Sequence, residues 1–343
     1  MDYTSAGVDI DAAAKAKERI RRLARKTFTA DALGDIGSFG GLFRLDTNRY
    51  REPVLVSSTD GVGTKLKVAF ASGRHDTVGY DLVSHCINDI LVQGARPLFF
   101  LDYLAMGKLE LDVAEAVVSG IAEACEAFGV TLIGGETAEM PGFYPAGEYD
   151  LAGTIVGVVE RERIIDGSTV SPGNVLIGLG STGLHTNGYS LARKIFFEQE
   201  GLSVESRVAE LGAPVSDLLL ARHRCYLPAI APLLEARLVR AMAHITGGGL
   251  TDNIPRVLPP KTAARVRLGS WSLPPLFDYL MKKGSVSEAE MLRTFNAGIG
   301  MVVMVGSEQQ EEVLKLLSEH EKTPVVIGEI VSGDGRVIYE GSF

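Results

Sequence analysis

Asp60 ends the β-branched run VLVSST and is followed by Gly61, Gly63 and Lys65, in the order STDGVGTK. A carboxylate at a strand end sits where α/β proteins tend to hold ligands. It needs a cation, a lysine or loop amides to offset its desolvation. The two glycines would let backbone N–H groups approach a phosphate, and Lys65 would add a charge, which is the logic of a phosphate cradle. The Walker A spacing is absent. The same residues also read as a tight hairpin turn at Asp-Gly with an exposed lysine, and this stretch alone leaves both readings open.

Two further acidic stretches lie in the same half of the chain. Asn88 and Asp89, in NDILVQGARP, belong to a helical pattern otherwise full of Val, Ile and Leu, a costly place for polar groups without partners. An aspartate capping a neighbouring loop would explain them too. In LIGGETAEMPGFY an apolar run meets Gly134-Gly135 and then Glu136, which is otherwise a plain turn. Asp60, Asp89 and Glu136 each end an element, and hard oxygens of this kind suit Mg²⁺ on nucleotide phosphates.

The second half carries polar groups of a different type. STGLHTNGYS sets Ser181, Thr182, His185, Thr186, Asn187 and Ser190 within ten residues among glycines, a composition suited to hydrogen bonding a polar small molecule. Further on, MAHI runs into Thr246-Gly247-Gly248-Gly249 at an expected helix start, a natural anion site or else a flexible hinge.

The elements that must position these residues follow from periodicity and turn chemistry. The pattern predicts helices over 9–26, 76–93 and 111–128, with strands at VLVSST, LFFLDYLAM, VTLIGG and YDLAGTIVGVVE. Turn formers cluster at IDGSTVSPGN, and a new pattern begins with VLIGLG, so the domain boundary is placed there, giving domains 1–168 and 169–343. The second half predicts helices over 187–199, 215–236, 248–257 and 307–320, strands over 241–246 and 297–305, and a closing hairpin, VVIGEIVSGDGRVIYE, around Gly-Asp-Gly. Alternating strands and helices predict helices layered over sheets.

With 343 residues, the chain exceeds the size at which single cores stop growing. A net charge of −9 argues against a nucleic-acid groove, and no apolar run reaches membrane-span length. The amino terminus lacks signal-peptide order. Three widely spaced cysteines, Cys86, Cys125 and Cys225, fit no metal pattern and read as reduced thiols of a cytoplasmic protein.

In chain order, AGVDIDA, GGLF, STDGVGTK, NDILVQGARPLFFLDY, GGETAEMPGFY, STGLHTNGYSLAR and HITGGGLTDNIPR together resemble the phosphoribosylformylglycinamidine cyclo-ligase (aminoimidazole ribonucleotide synthetase) family over essentially the whole chain. The D-x4-G-A-x-P pattern, here Asp89, Gly94, Ala95 and Pro97, is a signature of the wider superfamily, which includes thiamine-monophosphate kinase and a hydrogenase-maturation protein. The resemblance implies an α+β fold of two domains, each a mainly antiparallel or mixed sheet covered by helices. It implies a homodimer whose first-domain strands form a barrel across the two chains, and a second domain that completes the active-site cleft. The implied reaction is ATP-dependent closure of formylglycinamidine ribonucleotide to aminoimidazole ribonucleotide, with ADP and phosphate released through an iminophosphate. Carried over by motif, Asp60, Asp89 and Glu136 would hold Mg²⁺ on ATP, with Thr59, Gly61, Gly63 and Lys65 around the phosphates. His185, Asn187, Thr246, Gly247, Gly248 and Gly249 would hold the ribonucleotide. Asp60, Lys65 and His185 would take part in catalysis. One departure is the loop Gly34-Asp35-Ile36-Gly37-Ser38, where many relatives carry an extra glycine near Asp35, which bears on its expected service as an ATP lid.

Overall fold

A computed structural model describes residues 10–320 and 324–343, so the AGVDIDA stretch falls partly outside the described residues. The chain divides into two compact units. One comprises the chain up to Ile90 with Ala95–Glu162, and the other Leu91–Gly94 with Arg163–Phe343.

The first unit contains α1 (Ile10–Lys26), β1 (Pro53–Gly61), α2 (Leu66–Ser72), α3 (Asp76–Leu91), β2 (Arg96–Met106), α4 (Leu111–Ala127), β3 (Thr131–Glu139) and β4 (Tyr149–Glu160). Its sheet runs in the order β1-β4-β2-β3, antiparallel except for the parallel pair β2 and β3. Strands β1 and β3 are therefore the two edges. Among the described residues the strands form open sheets and no closed barrel. Along β1 the side chains alternate, with Val54, Val56, Ser58 and Asp60 half-buried and Leu55, Ser57 and Thr59 exposed. Helices cover the inward side. Helices α3 and α4 approach each other closely enough that a Cβ at Gly79 would lie 2.1 Å from the Val117 carbonyl oxygen, a contact only glycine permits.

Register decides which residues share a row across this sheet. Asp60 pairs with Gly153, Gly153 with Asp102, and Asp102 with Gly135. Asp102 is consequently turned toward the helices and only 9% exposed, and a Cβ on Gly135 would meet its Oδ1 at 2.1 Å. Burial pushes its carboxyl up from 3.8 to about 7.

The second unit contains β5 (Val175–Gly180), α5 (Tyr189–Arg193) with a π-helical continuation, β6 (Arg207–Val208), β7 (Ala213–Pro214), α6 (Val215–Leu219), α7 (Leu227–Glu235), β8 (Ala241–His244) and α8 (Gly249–Asn253). There follow β9 (Thr262–Arg267), α9 (Pro275–Lys283), α10 (Glu288–Thr294), β10 (Ile299–Val305), α11 (Gln310–Ser318), β11 (Val325–Ser332) and β12 (Val337–Glu340). Six of these strands form one sheet in the order β12-β9-β11-β5-β10-β8. All seven residues of β10 are buried: Val302 and Met304 enter one apolar cluster, while Met301, Val303 and Val305 enter another. Alternation thus feeds two cores from one strand.

Two expectations are corrected here. The helix over 215–236 is broken into α6 and α7 by the segment 220–226, because Pro228 lacks an N–H and is accommodated only in the first turn of a new helix. The closing hairpin is split: β9 lies between β11 and β12, antiparallel to the first and parallel to the second. The turn amides of Gly333 and Gly335 donate to Lys261 and Thr262 rather than closing a two-strand turn. Strand β9 escaped notice because Arg265 and Arg267 interrupt its apolar pattern.

The titration of Asp102 has a measurable consequence. A carboxyl kept neutral by the fold contributes stability that is complete below its unfolded pKa and fades as pH rises from about 4 to about 7. Asp102→Asn abolishes that dependence. Its unfolding free energy is expected to exceed that of the parent by roughly 2–4 kcal/mol at pH 8, with the advantage shrinking toward pH 5. Urea unfolding at both pH values checks this, and a gap that does not change with pH would contradict it.

Candidate active site

Strand β1 ends by presenting Asp60 to the inner side of its sheet, where α3 carries His85 and Asp89 one helical turn apart. His85 Nε2 lies 2.6 Å from Asp60 Oδ2 and 3.6 Å from Asp89 Oδ2. The Ser58 hydroxyl donates to Asp89 Oδ2 at 3.1 Å, and the Gly61 N–H donates to Asp60 Oδ1 at 2.7 Å. One ligand atom from each of Asp60, His85 and Asp89 falls within 4.8 Å of the others. The His85 side chain is 5% exposed, whereas Asp60 is 41% and Asp89 25% exposed, so the carboxylates remain reachable while the imidazole is enclosed.

Charge compensation governs this cluster. Burial would raise the Asp60 carboxyl, but the hydrogen bond and charge of His85, with the Gly61 N–H, outweigh it and hold the group below its ordinary value. For His85, burial would lower the pKa, and the bond to Asp60 with the charges of Asp89, Asp60 and Asp81 outweighs it and raises it. The cluster therefore sets two carboxyl groups against one imidazole whose protonated form the aspartates favour.

Several expected neighbours are placed elsewhere. Glu136 lies on β3, one residue past the row joining Asp60, Gly153, Asp102 and Gly135. Three strand spacings put it roughly 14 Å from Asp60, and alternation turns it to the opposite face. Mg²⁺ holds its ligands at about 2 Å, so within one chain Glu136 does not converge with Asp60 and Asp89 on a common point. Thr59 also faces the outer side, where its hydroxyl meets that of Thr154 at 2.8 Å. Gly61 uses its N–H on Asp60, leaving Gly63, in a left-handed turn at φ 68°, as the bare member of the pair.

Lys65 departs furthest from its expected placement. Its side chain and that of Asp81 are both 0% exposed, with Nζ 2.7 Å from Oδ2. Burial lowers the lysine pKa, and the Asp81 charge and hydrogen bond oppose that shift. Where the expectation set Lys65 against a phosphate, the fold shows an internal ion pair that ties the turn after Asp60 to α3. The glycine-rich loop is fastened through Asp35, which pairs with Arg25 and lies 3.6 Å from Arg21.

In the second unit, the loop after β5 carries His185 at φ 60°, a left-handed conformation rare outside glycine. The ring is 1% exposed, accepts the Thr182 N–H at Nε2 over 3.2 Å, and stacks on His223 with centroids 4.0 Å apart. Its Nε2 is engaged within the loop, and the ring packs against the loop from inside. Asn296 holds the same loop, accepting from the Ser181 hydroxyl and donating to the Gly183 carbonyl, both at 2.9 Å. The Asn187 amide nitrogen is shielded from solvent without a hydrogen-bond partner, and a Cβ on Gly247 would lie 3.3 Å from Asn187 Oδ1. Asn187 therefore adjoins the Thr246–Gly249 loop.

Sequence reading missed His85, Ser58 and Asp81. His85 had a signal, since it stands four residues before Asp89 on a helix; Ser58 had one in its even spacing from Asp60.

The buried pair predicts a double-mutant result. Lys65→Met alone leaves Asp81 without its cation and is expected to cost about 3–5 kcal/mol, and the paired change Lys65→Met with Asp81→Leu to recover most of it. Urea denaturation of the parent, both single variants and the double variant measures the coupling, and strictly additive losses would show that the pair is not a unit.

The protein matches known families along almost its full length. Residues 43–159 match the AIR synthase related protein N-terminal domain, and residues 171–340 the corresponding C-terminal domain. The phosphoribosylformylglycinamidine cyclo-ligase of Geobacter sulfurreducens is 56% identical over 96% of this chain and 94% of the relative. That of Caldanaerobacter subterraneus is 52% identical over 98% of this chain and 100% of the relative. Among solved structures, thiamine-monophosphate kinase from Stenotrophomonas maltophilia superposes with a TM-score of 0.71 at 19% identity over 95% of both chains. Hydrogenase maturation protein HypE in complex with ATP gives 0.64 at 18% identity over 93% of this chain and 88% of that one. These two structures share the fold, whereas the sequence relatives assign the lineage: the chain belongs to the phosphoribosylformylglycinamidine cyclo-ligase family.

Proposed function

We infer that this chain performs the reaction for which its family is named, the ATP-driven closure of formylglycinamidine ribonucleotide to aminoimidazole ribonucleotide in purine biosynthesis. The observation that carries this reading is identity above one half, 56% and 52%, to two relatives of that name over nearly the whole chain. In the reaction, the formyl oxygen attacks the γ-phosphorus of ATP and ADP departs. The amidine nitrogen then adds to the activated carbon, phosphate leaves as the C–O bond breaks, and loss of a proton gives the imidazole. Such chemistry rests on positioning and charge stabilisation.

The residues divide these tasks by chemical type. Asp60 and Asp89 supply converging carboxylate oxygens suited to a hard divalent cation, so they would hold Mg²⁺. When bound, that ion would neutralise phosphate charge. His85 donates to Asp60 and fixes its orientation, and Ser58 does the same for Asp89. In the second unit, Asn187 with the Gly247 and Gly248 amides offers donors for the ribonucleotide, and His185 and Asn296 hold the adjoining loop. Lys65 shapes the turn after Asp60 from within.

The same reading includes a homodimer acting in the cytoplasm. The outer face of the first unit's sheet leaves Leu55 61% and Tyr103 40% exposed, an apolar surface on which a second copy would pack. The three cysteines are buried free thiols, and no helix among the described residues is long and apolar enough to cross a membrane.

Purified protein given ATP, Mg²⁺ and formylglycinamidine ribonucleotide is expected to release ADP only with the ribonucleotide present and to form aminoimidazole product. ADP release without the product would overturn the assignment. Asp60→Asn should lower kcat by about 100-fold or more, with a melting temperature within a few degrees of the parent. For the dimer, Leu55→Arg buries a charge in the proposed interface, and sedimentation should shift from dimer to monomer; an unchanged dimer would place the interface elsewhere.

A further inference from the structure

The loop Thr246–Gly249 has an internal support that its sequence does not advertise. Asn253, four residues on and 2% exposed, directs its amide nitrogen at three carbonyl oxygens of the loop: Thr246 at 3.4 Å, Gly247 at 3.2 Å and Gly249 at 2.9 Å. The Thr246 hydroxyl donates to Asn253 Oδ1 at 3.3 Å, which orients the amide. Carbonyls drawn inward leave their peptide N–H groups facing the other way. Among the described residues, neither the Gly247 nor the Gly248 N–H has a hydrogen-bond acceptor; a Cβ on Gly247 would lie 3.3 Å from Asn187 Oδ1, and one on Gly248 would meet the side chain of Asp252, which is paired with Arg293. The side of the loop away from Asn253 thus carries two peptide N–H groups that no protein acceptor takes up. The conformation requires glycine: Gly248 and Gly249 have φ 97° and 58°, and a Cβ on Gly249 would stand 2.1 Å from the Leu292 carbonyl oxygen.

We propose that Asn253 is a positioning residue for the reaction, holding the loop carbonyls inward so that the Gly247 and Gly248 amides face the 5′-phosphate of the ribonucleotide. This rests on the reading of the loop as the ribonucleotide site. Asparagine is suited to the task because its amide donates twice and accepts once from a single rigid plane. An aspartate there would turn an acceptor toward three acceptors. Helix α8 is only five residues long, so the surface depends on this arrangement of peptide groups and not on a helix dipole.

Calorimetric binding of formylglycinamidine ribonucleotide and of its 5′-dephosphorylated nucleoside separates the alternatives. Parent protein should bind the ribonucleotide more tightly; equal binding of the two ligands would overturn the reading of the loop itself. Given that preference, Asn253→Ser should weaken ribonucleotide binding by roughly 10–100-fold, the range for one to two hydrogen bonds to a charged group, while leaving nucleoside binding unchanged. Asn253→Asp should weaken it further. Parallel losses for both ligands, or a preserved phosphate preference, would overturn the positioning role. If Asn253→Ser does not unfold cooperatively, Thr246→Val removes only the bond that orients the amide and should give the same selective loss, about threefold or more; parallel or absent loss there counts equally against the inference.

Discussion

Two carboxylates cannot face each other across a partly enclosed space unless positive charge lies between them, and this constraint organises the first unit. Asp60 and Asp89 come from different elements, and a histidine that is itself enclosed stands against both. Its hydrogen bond reaches Asp60, and the charges of Asp89, Asp60 and Asp81 together favour its protonated form. The surrounding architecture serves that arrangement. Strand β1 must end where α3 passes, α3 must keep His85 and Asp89 on one side, and the turn after Asp60 must not wander. The last requirement is met by Lys65 and Asp81, a pair whose charges are wholly removed from water. Burying such a pair contributes little net stability, but it strongly penalises any arrangement that separates the partners. It therefore acts on geometry more than on overall stability.

The second unit solves a different problem with neutral groups. Its loops are held by asparagine amides: Asn253 gathers carbonyls of one loop, and Asn296 fixes the other through Ser181 and Gly183. A buried amide costs free energy unless its hydrogen bonds are made, and these are made to backbone groups that loops would otherwise leave unpaired. Each asparagine thereby selects one loop conformation. The left-handed residues, His185, Gly248 and Gly249, are stable only because these bonds and their packing over-determine them.

Much of this was legible in residue order. Strand and helix spans followed from periodicity because the buried faces are long and regular, as in β4 and α4. Asp60 and Asp89 were legible because a carboxylate at the end of an apolar element needs a reason to be there. What sequence could not supply was strand order. Glu136 reads in linear order as a companion of Asp60 and Asp89, and only the order β1-β4-β2-β3 shows it on the far edge of the sheet. The split hairpin around β9 failed for the same reason, since an inserted strand leaves no trace in the turn it separates. Lys65 exposes a second limit: a lysine near a glycine turn has the same sequence whether it meets solvent or an aspartate one helix away.

Under the proposed reading, the contrast between the two units follows from what phosphates require. A nucleotide triphosphate taken up with a divalent cation meets the protein through that cation, so its site needs acceptors, and acceptors repel one another until the ion arrives. His85 relieves that repulsion beforehand, at the cost of competing with the ion for Asp60. A lone 5′-phosphate meets the protein directly and needs donors, which peptide amides and asparagine supply without net charge. Under the proposed reading, a single loop cannot present both surfaces: the carboxylates that recruit a cation would repel a bare phosphate. Acidic residues are accordingly concentrated at the end of β1 and glycines with asparagine at the end of β8, and the division of labour is visible in residue type before any ligand is considered.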